Sequence, residues 1–191
     1  MIAHAAINNL FITQFDIKTA FLYGDIDVDI YMQQPDGFDC NNGKVWKLIK
    51  SLYGSKQSPR QWCRKFTDFL KGIGLTPCFE NPCVFFKQDP LVIVTIYVDD
   101  GIVFAELEQD IQHIMSQLRS EFEVHKMEVS TFLGFQIERP RLFQIILHQT
   151  DYINKKLNKY NSSGKDWRPE RSPISLCKLT PNDAAHFLID K

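Results

Sequence analysis

Apolar residues crowd on both sides of one acidic pair. Leu91-Val92-Ile93-Val94-Thr95-Ile96-Tyr97-Val98 runs into Asp99-Asp100, and Gly101-Ile102-Val103-Phe104-Ala105 runs out. Ile and Val dominate both runs, and their branched side chains favour strands. Each run has strand length and is too short to span a membrane. The pattern predicts a hairpin with both strands buried and Asp99 and Asp100 at its tip. A solvated Asp-Asp-Gly turn has the same composition, so the rest of the chain must say whether the acids do chemistry.

Away from the hairpin, strand and helix periods alternate. Asn9 to Ile17 reads as a strand that carries Asp16 in an apolar run, where a carboxylate is costly unless paired or on a metal. Thr19 to Gly24 is a short helical or turn segment bearing Phe21. Asp25 to Met32 alternates acid and apolar residues. Its D-x-D-x-D spacing lacks the glycine and distal glutamate of a calcium loop, so a half-exposed segment is expected. Gln34 to Phe38 predicts a turn, Lys44 to Lys50 a strand, and Ser51 to Gln57 a loop around Gly54. Ser58 is the expected N-cap of a helix running to Leu70 or Lys71, with Pro59 in its first turn and Trp62, Phe66, Phe69 and Leu70 on its apolar face. Cys83 to Lys87 predicts a strand. Leu107 to Phe122 keeps Ile111, Met115 and Leu118 at helical spacing. Val129 to Glu138 and Leu142 to Leu147 read as strands. Gln149 to Tyr160 reads as a helix with Tyr152, Ile153 and Leu157 inward. Beyond it Ser, Gly and Pro mark a linker or the start of a truncated following element, which divides the chain into 1–160 and 161–191.

Composition narrows the class. A chain of 191 residues with 44% hydrophobic residues and 15 Phe builds one domain, or one and a part, around a sizeable core. Five cysteines, an odd number with no C-x-x-C pair, indicate neither a disulfide framework nor a zinc site. They fit a reducing, intracellular setting. The apolar N-terminus lacks a basic leader and makes a poor signal peptide, so neither secretion nor a membrane partner is expected. Net charge is −1, but Asn41 to Phe66 holds seven basic residues and no acid. A second basic cluster lies at Lys155, Lys156, Lys159, Lys165, Arg168 and Arg171. Such patches bind phosphates or simply solvate a helix face.

A strand with Asp16, a helix, the Asp99-Asp100 hairpin, a helix and a strand form a ferredoxin-like alternation. That is an α+β fold in which adjacent central strands can bring the three acids together. Three carboxylates suffice for two Mg²⁺ ions, which can activate an attacking oxygen and stabilise a leaving one. The reaction class is then nucleotidyl transfer.

These residues carry a resemblance. Gln14-Phe15-Asp16-Ile17-Lys18-Thr19-Ala20-Phe21-Leu22-Tyr23-Gly24-Asp25 resembles the first catalytic block of copia-type retrotransposon reverse transcriptases. Lys50-Ser51-Leu52-Tyr53-Gly54-Ser55-Lys56-Gln57-Ser58-Pro59-Arg60-Gln61-Trp62 resembles that family's K-S-L-Y-G-L-K-Q-A-P-R-Q-W block. Tyr97-Val98-Asp99-Asp100 is similar to its Y-V-D-D box, Phe132-Leu133-Gly134 to a later block, and Gln149 to Ile153 to its S-Q-x-x-Y-I helix. The resemblance implies a polymerase palm with an antiparallel sheet and packed helices, incomplete fingers, and an absent or partial thumb. It implies that Asp16, Asp99 and Asp100 are catalytic and bind two Mg²⁺ ions, for which Mn²⁺ can substitute. Phe21 then packs against the sugar and excludes a 2′-hydroxyl, and Gln57 contacts the incoming nucleotide. Tyr97 lies beside the primer terminus, and Phe132, Leu133 and Gly134 form the turn that grips the primer.

Implied partners are an RNA or DNA template with its primer, deoxynucleoside triphosphates, and the remaining Pol segments: fingers, thumb, ribonuclease H and integrase. Implied surroundings are a cytoplasmic particle or the nucleus. The family's sequence begins upstream of position 1, so a palm-centred fragment of a Pol polyprotein is expected. A noncatalytic nucleic-acid-binding or structural remnant is the alternative, and another two-metal palm enzyme such as a nucleotide cyclase is a weaker one. Family members carry an apolar residue where this chain has Gly101, which is expected to add freedom at the turn.

Overall fold

The computed structural model describes residues 1–38 and 43–161. By its contacts the chain divides into two compact units, Met1–Gln149 and Thr150–Lys191. The first opens with helix α1 (Ile2–Ile7), strand β1 (Phe11–Ile17) and a single 3-10 turn (Ala20–Tyr23). Two short strands follow, β2 (Tyr31–Met32) and β3 (Trp46–Lys47), and then helix α2 (Ser58–Gly72). Next come β4 (Thr76–Pro77), β5 (Val84–Gln88) and the hairpin β6 (Leu91–Tyr97) with β7 (Asp100–Ala105). Helix α3 (Glu108–Glu121), β8 (Val124–Met127), β9 (Thr131–Phe132), β10 (Phe135–Arg141) and β11 (Gln144–His148) complete it. The described part of the second unit is helix α4 (Thr150–Asn161).

The fold is α+β. An antiparallel six-stranded sheet has the order β4-β5-β6-β7-β1-β8, beside a three-stranded sheet β11-β10-β9 and the pair β2-β3. The hairpin is central because both of its faces are covered. Val92, Val94, Val103 and Ala105 pack on one face with Trp62, Phe66 and Leu70 of α2 and Ile111, Met115 and Leu118 of α3. Their neighbours Ile93, Ile102 and Phe104 pack on the other face with Ala5 of α1 and Ile137 of β10. Alternate residues point to opposite faces of a strand, so two cores require continuous apolar runs rather than an alternating pattern. Each large side chain fully buried here contributes roughly 1.5–3 kcal/mol.

Helix α2 is closed onto the helix-covered face by aromatic contacts. The Trp62 ring lies 5.2 Å from Phe66 and 5.4 Å from Phe122, and Phe122 in turn meets Phe69 at 5.1 Å. Tyr23, from the 3-10 turn, meets Phe122 edge-on at 5.1 Å. Rings offset or edge-on at these separations attract beyond their buried area.

Several expectations need correction. Asp100 belongs to β7 and pairs with Tyr97, so the hairpin tip is Val98-Asp99. Ser58 is not the cap of α2. Gln57 holds that position, while the Ser58 hydroxyl donates to the Leu52 carbonyl at 2.6 Å. The strand expected over Lys44–Lys50 shrinks to Trp46–Lys47, which pairs with Tyr31–Met32, while Lys50 makes an isolated bridge to Asp25. Val129–Glu138 is not one strand but a hairpin, broken at Leu133-Gly134, where both residues have positive φ. Val124–Met127, not anticipated as a strand, pairs with β1 and supplies a sheet edge. In α4, Tyr152, Ile153 and Leu157, expected inward, are exposed. The linker expected from Asn161 onward loses Asn161 to α4, and the rest of it lies outside the described residues, as do Cys40 and Cys177. The remaining cysteines, Cys63, Cys78 and Cys83, are free thiols.

Gly101 departs from expectation in its role. It lies within β7, opposite Phe15, and a Cβ built there would fall 2.1 Å from the Phe15 ring. The glycine makes room for a ring rather than loosening a turn.

Candidate active site

Register alone assembles the acids. Asp16 of β1 lies opposite Asp100 of β7, and directly opposite residues in an antiparallel ladder share a face. Phe15 and Ile17 point into the core under α2 and α3, so Asp16 and Asp100 emerge on the other side of the sheet. Asp99 follows in the adjoining turn. Burial raises the Asp100 carboxyl above its ordinary range, and the charges of Asp16 and Asp99 push the same way. Asp100 therefore lies in the field of both other carboxylates. A divalent cation is the usual compensation for such crowding. Among the described residues, however, no three acid, imidazole or thiol side chains converge closely enough to form a ready-made ion cage. The donor set fits a hard cation by charge and chemistry, and binding would have to draw the carboxylates inward.

The turn that carries Asp99 is strained and held. Val98 has φ of 60°, a rare backbone conformation for a β-branched residue. Its carbonyl accepts a hydrogen bond from the buried Trp62 Nε1–H at 2.6 Å. The Asp99 carbonyl accepts from the Ile17 N–H at 2.9 Å. The turn is thus pinned to α2 on one side and to β1, the strand of Asp16, on the other. Trp62 was expected only as a core residue, and its donor role is legible solely from the folded contact.

Phe21 lies on the 3-10 turn just beyond β1, its ring 4.6 Å from the ring of Tyr53. Tyr53 was not singled out in the sequence. Its phenol is raised above the ordinary range, first by burial and then by the charges of Asp99 and Asp16, while the backbone N–H groups of Phe21 and Ala20 pull it back. The loop that brings Tyr53 there is fixed at several points. The Ser51 N–H donates to the Gly24 carbonyl at 3.0 Å, Ser58 holds Leu52, and Gly54 turns the chain with φ of 92°. Gly24 abuts α2 so closely that an added Cβ would be 3.0 Å from the Trp62 nitrogen. Gln57 is exposed at the start of α2, and its side-chain carbonyl accepts from the Ser55 hydroxyl at 3.0 Å. The structure ties Phe21 to Tyr53 and draws no such link for Gln57.

Tyr97, Phe132 and Leu133 line one groove of about 340 Å³ on the face that bears the acids. Tyr97 is 58% exposed there. Leu133-Gly134 forms the tip of the β9–β10 hairpin, with φ of 50° and 79°, and the Gln149 side chain donates to the Gly134 carbonyl at 3.2 Å. The basic stretch is less available than its composition implied. Lys47, Lys50 and Lys65 are paired with Asp29, Asp25 and Glu121 at 2.6, 3.1 and 2.8 Å.

An antiparallel sheet that carries Asp16 and Asp100 on one face, with Asp99 in the adjoining braced turn and a groove beside them, defines an α+β domain with an acid cluster. The family model described as reverse transcriptase (RNA-dependent DNA polymerase) matches residues 1–174, and the chain belongs to that family. It is 36% identical over 178 residues to the Retrovirus-related Pol polyprotein from transposon TNT 1-94 of Nicotiana tabacum, covering 90% of this chain and 13% of that protein. It is 29% identical over 163 residues to the Transposon Ty1-MR1 Gag-Pol polyprotein of Saccharomyces cerevisiae, covering 81% of this chain and 9% of that protein. A truncated Ty1-A Gag-Pol polyprotein from the same yeast is 30% identical over 163 residues, covering 81% and 13%. The chain spans about a tenth of the length of these curated relatives. The copia-type resemblance read from the sequence blocks agrees with these matches. Among the described residues, no helix is long and apolar enough to cross a membrane.

Proposed function

We propose that this chain is the palm of a copia-type RNA-directed DNA polymerase, in which Asp16, Asp99 and Asp100 serve nucleotidyl transfer to a primer 3′-hydroxyl. The observation that carries the reading is the β1–β7 register, which sets Asp16 against Asp100 beside the Asp99 turn. The strand order supports it. Strands β1, β6, β7 and β8, with α2 and α3 between them, lie as β6-β7-β1-β8, the ferredoxin-like arrangement with both helices on one face.

Asp16 and Asp99 would be the most direct ligands for Mg²⁺, with Asp100 as a further carboxylate of the site. Two such ions would lower the cost of ionising the primer hydroxyl and offset charge on the departing pyrophosphate. The protein's own residues position the reactants. Trp62 and Ile17 hold the turn so that Asp99 faces Asp16. Phe21 borders the sugar of a deoxynucleoside triphosphate, and Gln57 meets the nucleotide from the start of α2. Tyr97 and the Phe132-Leu133-Gly134 turn flank the groove that takes the primer strand on its template. The fingers, thumb, ribonuclease H and integrase of a Pol polyprotein are the partner segments, and an intracellular particle or the nucleus is the setting.

Primer extension on an RNA template with Mg²⁺ tests the reading. Extension by the wild-type chain that is lost in Asp99→Asn supports the polymerase. Retained nucleic-acid binding without extension supports a noncatalytic remnant instead.

A further inference from the structure

We propose that Tyr53 is a positioning residue for sugar selection: it braces Phe21 so that the pocket accepts a 2′-deoxynucleoside triphosphate and rejects its ribonucleotide counterpart. The inference rests on the polymerase reading and deepens it. Its starting point is mechanical. Phe21 belongs to a four-residue 3-10 turn, which by itself gives a side chain little support. A ring meant to exclude one hydroxyl group must not yield, because a rejected atom is worth only what the wall resists.

Tyr53 supplies the backing. Its ring meets Phe21 at 4.6 Å with a tilt of 51°. Burial raises its phenol first, and the charges of Asp99 and Asp16 push the same way. One side chain therefore meets the Phe21 ring and lies in the field of two of the acids. The loop beneath it is itself anchored, by Ser51 to Gly24 and by Ser58 to Leu52. No such chain of contacts runs from Gln57, whose amide is taken by Ser55.

The test measures equilibrium binding of dATP and ATP, with Mg²⁺, to the full chain on a dideoxy-terminated primer whose template offers thymine. The readout is the ratio of the two dissociation constants in wild type and in Tyr53→Ala. A merely structural role would weaken both nucleotides together and leave the ratio alone. The expected result is a ratio that favours dATP in wild type and falls about tenfold in Tyr53→Ala, the lower range for a steric discrimination. Tyr53 is 48% exposed, so folding is not at stake. Tyr53→Leu, which keeps bulk without a flat ring, is expected to show the same fall. An unchanged ratio in both variants overturns the inference and leaves the polymerase reading standing. Failure of the wild-type chain to bind either nucleotide overturns that reading and the inference with it.

Discussion

Two side chains decide how the acids behave. The Asp100 carboxyl titrates above its ordinary value of 3.8 because burial and two neighbouring acids disfavour its charge. A raised acid costs the fold nothing below its ordinary value, and the cost builds from there as pH climbs to the raised value, where the folded form ionises. Asp100→Asn is therefore expected to raise the melting temperature of the metal-free protein at neutral pH and to change it little below pH 3.8. Added Mg²⁺ should narrow the gap by stabilising wild type, which a thermal melt across pH with and without the ion would read. Trp62 acts through geometry instead. Trp62→Phe keeps most of the ring cluster but removes the donor to the Val98 carbonyl. A buried hydrogen bond broken on one side costs about 1–3 kcal/mol. The expected outcome is lower stability in urea together with weaker Mn²⁺ binding. A structural loss alone would leave the ion's affinity unchanged. The acids were legible in the sequence because carboxylates in apolar runs stand out. The Trp62 contact was not, since it joins an indole to a backbone oxygen 36 positions away and leaves no periodic trace.

At the scale of elements, period explains what could be read. The hairpin, α2 and α3 each sustain a strand or helix pattern long enough to recognise. Strands of two residues, such as Tyr31–Met32 and Thr131–Phe132, are shorter than any period and exist only through their partners. Val124–Met127 escaped notice for a different reason. It is a sheet edge carrying exposed His125 and Lys126, and edges are kept polar. The β1–β7 interface gives the sharpest test at this scale. Gly101→Ala sets a methyl group 2.1 Å from the Phe15 ring, and overpacking of this kind costs about 1–3 kcal/mol. Phe15→Leu in the same chain should recover much of the loss. A denaturation cycle over the two single variants and the double variant would measure that coupling.

The whole molecule divides its labour between the two faces of one sheet. The helix-covered side carries the aromatic packing and holds the turn from behind, while the opposite side presents the acids and the groove. This division lies within Met1–Gln149, which has its own core and sheet. A chain ending at Gln149 is accordingly expected to keep the near-ultraviolet circular dichroism of the full chain and a melting temperature within a few degrees of it. Loss of a cooperative transition on that truncation would mean that residues after 149 take part in the fold. The family was readable from five blocks in order, whereas the sheet order and the shared face of the acids emerged only with the pairing register.

The contact between Phe15 and Gly101 also bears on inheritance. The space behind the acids, on the helix-covered face, holds one large side chain, and here it is delivered from β1 rather than from β7. Positions 15 and 101 therefore form a single unit of variation. A lineage that gains bulk at one is expected to surrender it at the other.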